Sequence, residues 1–309
     1  MRPRVLVLYY SQSGQLRDIL NELVRELRGK AELTFAEIEP VQPFPFPWPA
    51  HAFFDAMPET VAHVPVAIKP LPAAVREAAY DLIILGYQPW YLNPSLPVSS
   101  FLQTEEAAAL FRNRPVVTVI GCRNMWLHGQ EKVKEYLKNM DARLVGNIVL
   151  EDRQPNLISV LTVVRWAFRG QKEASRWLPA AGVQEADIRA AARFGKPLAE
   201  RLASGEFSGL QDELLALDAI RLRGGLVLLE QRGIRNFRKW SAFIRAKGGP
   251  GAPARAGRVR LFRWLLTIAI FILSPLSGLS AAIRQQLSRK RLAADVAYFR
   301  QIAYEPGRL

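Results

Sequence analysis

Thiols are almost absent from this chain: 309 residues contain a single cysteine, Cys122. An intramolecular disulfide framework is therefore excluded, and the chain suits a reducing compartment. Histidine is nearly as scarce, and His51, His63 and His128 form no recognisable set with Cys122 or with acidic residues, so no metal centre is expected. No Gly-Lys-Ser/Thr element is present, which excludes the usual nucleoside-triphosphate loop. The N-terminus lacks the apolar stretch of a secretory signal, and a cytoplasmic folded domain is expected.

The C-terminal part lacks acid. From Arg221 to Leu309 there are eighteen Lys or Arg against three acidic residues, Glu230, Asp295 and Glu305. The net charge of +14 therefore resides in the last third, and the preceding part is close to neutral. Such asymmetry points to a polyanionic partner, either an anionic membrane face or nucleic acid. An apolar stretch from Trp264 to Ile283 has no charged residue, and the nearest flanking charges are Arg263 and Arg284. This favours the membrane and makes nucleic acid the lesser expectation. Arg on both flanks conflicts with a single crossing, and Ser274-Pro-Leu-Ser-Gly278 can turn the chain back. A re-entrant or in-plane anchor on the inner face of the cytoplasmic membrane is expected, the alternative being a buried helix.

What the chain does have is regular alternation. Arg4–Tyr9, Ala31–Ile38, Tyr80–Gly86, Pro115–Gly121 and Arg143–Leu150 are apolar, β-branched runs that read as strands. Between them lie helical patterns at Leu16–Leu27, Ser99–Phe111 and Glu131–Met140. This alternation predicts an α/β fold with a doubly wound, parallel five-stranded sheet. Beyond it, Asn156–Phe168 reads equally as strand or helix, while Val183–Ala203 and Leu210–Leu222 read as helical. The C-terminal extension is thus mainly helical and basic. Gly248–Gly257 has the composition of a flexible linker.

Chemistry concentrates at three strand ends. Ser11, Gln12, Ser13, Gly14 and Gln15 join the first strand to the first helix, where hydroxyls, backbone N–H groups and the helix dipole can hold a phosphate. A plain helix-capping turn is the alternative. After the third strand come Tyr87, Gln88, Pro89, Trp90 and Tyr91, and after the fourth come Gly121, Cys122, Arg123, Asn124 and Trp126. In a doubly wound sheet all three loops emerge at one edge, where a planar ring needs flat apolar partners and backbone groups. Aromatic core packing beyond the strand ends is the bland reading of Trp90, Tyr91 and Trp126.

The three loops together resemble flavodoxins and flavodoxin-like reductases, which implies FMN as cofactor. Leu16 departs from that pattern, since the family usually has Thr there. A narrower resemblance, to the bacterial dialkylresorcinol condensing enzymes, rests on Tyr10–Leu16, Pro43–Trp48, Tyr87–Tyr91, Gly121–Trp126, Val145–Val149 and Asn156–Trp166. It implies a role in making lipid-like dialkylresorcinols beside a ketosynthase partner. A condensing role needs a nucleophilic Cys with His partners, which Cys122 and the three histidines do not supply. The expected function is therefore an FMN-dependent oxidoreductase that aromatises a lipid-like cyclohexanedione to a resorcinol. A membrane-associated NAD(P)H-dependent quinone or flavin reductase, using NADPH, and a non-catalytic carrier or scaffold are the alternatives.

Two residues are candidates for catalysis: Arg123 as partner of an anionic group, and His128 as base. The stretch Phe44, Phe46, Trp48, Phe53 and Phe54 reads either as a greasy lid for alkyl chains or as a loop packed on the core. The expected organisation is a flavodoxin-like FMN-binding domain (1–180), a helical basic extension (181–247), the linker (248–257) and an apolar anchoring segment with basic flanks (258–309).

Overall fold

The computed structural model describes residues 2–273 and 289–308. Five strands form one parallel sheet: β1 (Arg4–Tyr9), β2 (Glu32–Glu37), β3 (Leu82–Tyr87), β6 (Pro115–Cys122) and β7 (Arg143–Glu151). Their order is β2-β1-β3-β6-β7. Counting only these five, that is the 2-1-3-4-5 arrangement of flavodoxin-like folds, with its switch point between β1 and β3. The predicted α/β architecture and all five predicted strands are present. Two further two-residue strands, β4 (Pro89–Trp90) and β5 (Asn93–Pro94), form a small antiparallel hairpin.

Both faces of the sheet are covered, as a parallel sheet requires. Val5 and Val7 of β1 point to one face and Leu6 and Leu8 to the other, following the two-residue period of a strand. The first face is covered by α1 (Gln15–Leu23), whose Leu16, Ile19, Leu20 and Leu23 recur at helical spacing and are all buried. Gly86 on β3 makes that approach possible, because a Cβ there would lie 2.7 Å from Leu20 Cδ1. The opposite face is covered by α4 (Leu96–Phe101), α5 (Glu105–Phe111) and α6 (Leu127–Asn139), with α2 (Ala50–Ala62) and α3 (Ala73–Arg76) preceding them in the chain.

The expected single helix Ser99–Phe111 is two helices, α4 and α5. Thr104 separates them: its hydroxyl accepts from the Ala107 N–H at 3.1 Å and caps α5. Asn156–Arg169, ambiguous in the sequence, is helix α7, closed by Gly170 in the left-handed conformation. The expected helix Val183–Ala203 is broken into α8 (Glu185–Ala190), a 3₁₀ turn and α9 (Gly195–Ser204). α10 (Leu210–Ala216) ends earlier than expected, before Asp218 at φ 64°. Phe194, Leu198, Leu210 and Leu214 join the core beneath α1, so this part of the extension completes one face of the sheet.

Further along, α11 (Gly224–Arg245), α12 (Ala256–Ile268) and α13 (Arg289–Phe299) follow. In the stretch expected as a flexible linker, Arg255 is fully buried. It donates through Nε to Asp55 Oδ1 at 2.6 Å and through Nη1 to Glu59 Oε1 at 2.7 Å on α2. The Gly251 N–H also donates to Asp55. Of the expected anchoring stretch, α12 continues as a π turn to Leu273, and residues 274–283 lie outside the described residues. Among the described residues no helix is long and apolar enough to cross a membrane.

Candidate functional site

At the carboxyl edge of the sheet, beside the β1/β3 switch point, lies a cleft of about 270 Å³. This volume is near the lower end for small-molecule sites. Gln12, Ser13, Gln15, Gln88, Pro89, Trp90, Tyr91, Gly121, Cys122 and Arg123 all line it. The three loops singled out in the sequence therefore do converge.

The first loop leaves β1 and enters α1 through Gly14 at φ 85°. That left-handed conformation suits glycine, and a Cβ would meet nothing within 4 Å, so the backbone is open to close approach by a ligand. The first N–H groups of α1 have no carbonyl partner inside the helix. Ser11 Oγ is buried without a hydrogen-bond partner. A buried, unsatisfied hydroxyl beside a helix N-terminus is what a phosphate monoester would satisfy. Glu37 opposes this: its carboxylate lies by the Ser11 backbone N–H, and burial and Glu39 raise its pKa, while Arg17 and that N–H act the other way.

The loop is held by neighbours rather than by its own turn. Gln88, with its amide oriented to suit its partners, donates to Tyr10 O at 2.8 Å and accepts from the Gln12 N–H at 3.0 Å. Gln12 Nε2 donates to the carbonyls of Phe44 and Pro45, which ties the proline-rich stretch to the loop. Gln15 contributes differently from expectation. Its side chain donates to Val183 O and accepts from Val183 N–H, both at 3.0 Å, so only its backbone is available to a ligand.

The ring side of the cleft is aromatic. Trp90 packs on Tyr10, Phe44 and Trp48 with centroid distances of 5.9, 5.1 and 5.3 Å. Trp48 packs on Phe53, and Phe53 on Tyr91 and Phe168. The expected lid residues thus form a continuous wall with Trp90 and Tyr91. Tyr91 and Leu92 connect β4 to β5 at φ 48° and 66°, the positive-φ pair that tight hairpins usually assign to Asn-Gly. Holding two bulky residues there is costly, and such conformations gather at functional sites.

Five expected cofactor residues, Ser11, Gly14, Tyr87, Asn124 and Trp126, are not among those lining the cleft. Gly14 acts through the turn. Tyr87 is fully buried, and its hydroxyl donates to Gln130 at 2.8 Å. Trp126 is buried in the core, with Nε1 donating to Glu151 at 3.0 Å. Asn124 donates to Asn156. Trp126 faces inward because α6 begins at Leu127 instead of the expected Glu131, which draws the preceding residue into the core.

His128, expected as the base, is also placed away from the cleft. It is buried, its Nε2 lies 2.9 Å from Arg238, and its pKa is pushed down to about 3 by desolvation and then by Arg238. Its backbone N–H donates to Glu230 Oε1 at 2.7 Å, so a carboxylate from α11 caps α6. Glu230 itself is pushed up to about 7 by burial, opposed by the backbone N–H groups of His128, Leu127 and Trp126. Glu151 is likewise raised to about 7 by burial.

Arg123 is where the sequence placed it. It lines the cleft and donates through Nη1 to Asn156 Oδ1 at 2.6 Å. Desolvation lowers its pKa, but a guanidinium keeps its charge in proteins. Arg123 is the only formally charged side chain among the described lining residues. Burial raises the Cys122 thiol well above its ordinary pKa, so it is not an activated nucleophile.

The sequence reading missed one wall. Val163, Trp166 and Ala167 of α7 and Gly182 line the cleft. A Cβ on Gly182 would lie 2.5 Å from Gln15 Oε1 and 2.8 Å from the Trp166 ring. The available signal was Trp166 on a helix whose period was obscured by apolar residues on every side.

The arrangement can hold a phosphate at the α1 N-terminus, a flat ring among aromatics and one anionic group at Arg123. No protein-family model matches the sequence, and no curated protein matches it. Solved structures do. A flavoprotein in complex with FMN from Lactobacillus acidophilus NCFM has 18% identity over 48% of this chain and 93% of its own, with a TM-score of 0.39. A flavodoxin, WrbA-like protein from Agrobacterium tumefaciens has 11% identity over 66% of this chain and 99% of its own, also at 0.39. A flavone reductase has 10% identity over 65% of this chain and 63% of its own, at 0.34.

Proposed function

We propose that the protein is an FMN-dependent oxidoreductase that converts a lipid-like cyclohexanedione to a resorcinol. The observation that carries the cofactor is the Gly14 entry to α1, open to close approach by a ligand, in a loop whose buried Ser11 hydroxyl has no partner. Ser11, Ser13 and the first N–H groups of α1 would hold the phosphate, and Trp90 and Tyr91 would flank the ring. When bound, FMN supplies a two-electron acceptor that can take a hydride.

The residues account for the rest. A 1,3-dione ionises readily, and Arg123 would hold the resulting enolate by charge-assisted hydrogen bonds. No imidazole or carboxylate is found among the described lining residues, so ionisation would rest on the acidity of the dione beside Arg123. The apolar wall of Phe46, Trp48, Phe53, Val163 and Trp166 suits alkyl substituents and excludes water. Overall the ring loses a hydride equivalent and a proton. The resemblance to dialkylresorcinol condensing enzymes implies a ketosynthase partner, which would supply the dione.

FMN titration of the purified chain, followed by absorbance, is the direct test. Binding is expected, with Ser11→Ala and Ser13→Ala each weakening FMN by about tenfold while riboflavin is unaffected. No binding of FMN would overturn the reading. With FMN loaded, anaerobic bleaching by an alkylated cyclohexane-1,3-dione supports the aromatase. Bleaching by NADPH alone would instead support the quinone or flavin reductase.

A further inference from the structure

Packed on α2 through Phe262 and Phe54, α12 buries only a narrow stripe. Val259 and Phe262 are buried, whereas Leu261, Trp264, Leu265 and Ile268 are exposed, Trp264 by 64%. Scattered exposed apolar residues are ordinary, but four within eight residues of one helix are not. Arg260 and Arg263 are exposed among them. In the sequence, the residues that follow α12 carry no charge as far as Ile283.

The same pattern recurs on the cleft wall. α7 turns Val163, Trp166 and Ala167 into the cleft and leaves Leu157, Leu161 and Val164 exposed. These last three lie at i, i+4 and i+7, one stripe along the helix. Phe168 at the end of α7 and Phe262 of α12 both pack on Phe54 of α2, with centroid distances of 6.3 and 6.2 Å. Helices α7 and α12 therefore both pack on a single aromatic cluster, which reaches the cleft through Phe53.

We propose that α12, with the outer stripe of α7, docks the protein on the surface of an anionic lipid bilayer. Three observations choose lipid as the occupant. Basic and apolar side chains alternate on α12, as on helices that lie in the plane of an interface. Trp264 has the amphipathic ring that settles at headgroup level. The excess positive charge of the chain lies in this C-terminal third, and each basic residue near the surface adds to the attraction to anionic headgroups. Docking there sets the apolar-walled cleft beside the bilayer. The inference does not depend on FMN or on the reaction.

The test is flotation of the full chain with phosphatidylglycerol-containing vesicles and with pure phosphatidylcholine vesicles, alongside FMN titration of every variant. Flotation with the anionic vesicles, weakened at about 1 M salt where the Debye length falls to about 3 Å, is expected. Arg260→Gln with Arg263→Gln should lower partitioning about thirtyfold. Trp264→Ser with Leu265→Ser should lower it about tenfold or more. These side chains are exposed, and the one contact to the aromatic cluster is Arg263 over the Phe54 ring at 5.9 Å, so both double variants should keep a Tm close to wild type and wild-type FMN binding. Failure of the wild type to float, or variants that float like the wild type, would overturn the proposal whatever FMN does. So would self-association that Trp264→Ser abolishes without any vesicle binding.

Discussion

Glu230 shows how one side chain links a remote helix to the core around the sheet. It accepts the His128 N–H at the start of α6, and its folded pKa is raised to about 7 by burial. A carboxyl whose pKa is raised on folding contributes stability that is full at pH below its ordinary value and is lost as pH rises through about 7. Glu230→Gln keeps the acceptor and removes the charge. Its stability relative to wild type should therefore improve between about pH 5 and about pH 8, by on the order of a few kcal/mol, read as a higher Tm. Thermal melts at several pH values check this. His63 and His128 work in the opposite sense, being pushed down to about 4 and about 3 by burial. Their contribution is full above their ordinary pKa and is lost as pH falls through those values.

Elements constrain one another through close approaches. At the start of α9, a Cβ on Gly195 would lie 2.6 Å from the Leu23 carbonyl oxygen and 2.9 Å from Glu26 Cβ. Because the first contact is backbone, the helix must move rather than a side chain. Gly195→Ala should destabilise by roughly 1–3 kcal/mol, read from denaturant unfolding. The Tyr91–Leu92 turn is the other constrained element, since both residues have positive φ without being glycine. Tyr91 gains in exchange a hydrogen bond to Phe53 O and a packed position between Phe53 and Phe237. The hairpin is thus shaped by what surrounds the cleft, not by turn preference.

Across the whole molecule, the C-terminal third is fastened to the sheet domain by buried polar contacts. Arg255 joins Asp55 and Glu59, and Lys134 donates to Gln301 O and Ala303 O near the C-terminus. Removing one partner of a buried ion group leaves the others unpaired. Arg255→Ala should destabilise by about 3–5 kcal/mol, seen as a lower Tm. FMN should act in the other direction. A ligand that binds only the folded chain stabilises it by about 2.7 kcal/mol at a hundredfold excess over Kd, so Tm should rise with FMN concentration.

The fold was legible because its signals are local. Five apolar runs, most of them separated by helical spacings, argue for a parallel, covered sheet, and Ser11–Gly14 sits where such a sheet binds ligands. Arg123, Trp90, Tyr91 and Gln88 followed from the same logic of strand ends. Tertiary structure decided what no local pattern encodes. Glu230, a hundred residues downstream in the chain, accepts the His128 N–H at the start of α6, where Trp126 and His128 are both buried. Gln15 is drawn to Val183, and Arg255 fixes a Gly/Pro-rich stretch whose composition alone reads as free. Strand and helix periods are written by neighbours in sequence. The orientation of a side chain beyond a strand end is set by whichever distant partner satisfies its buried polar group, and that partner exists only once the chain has folded.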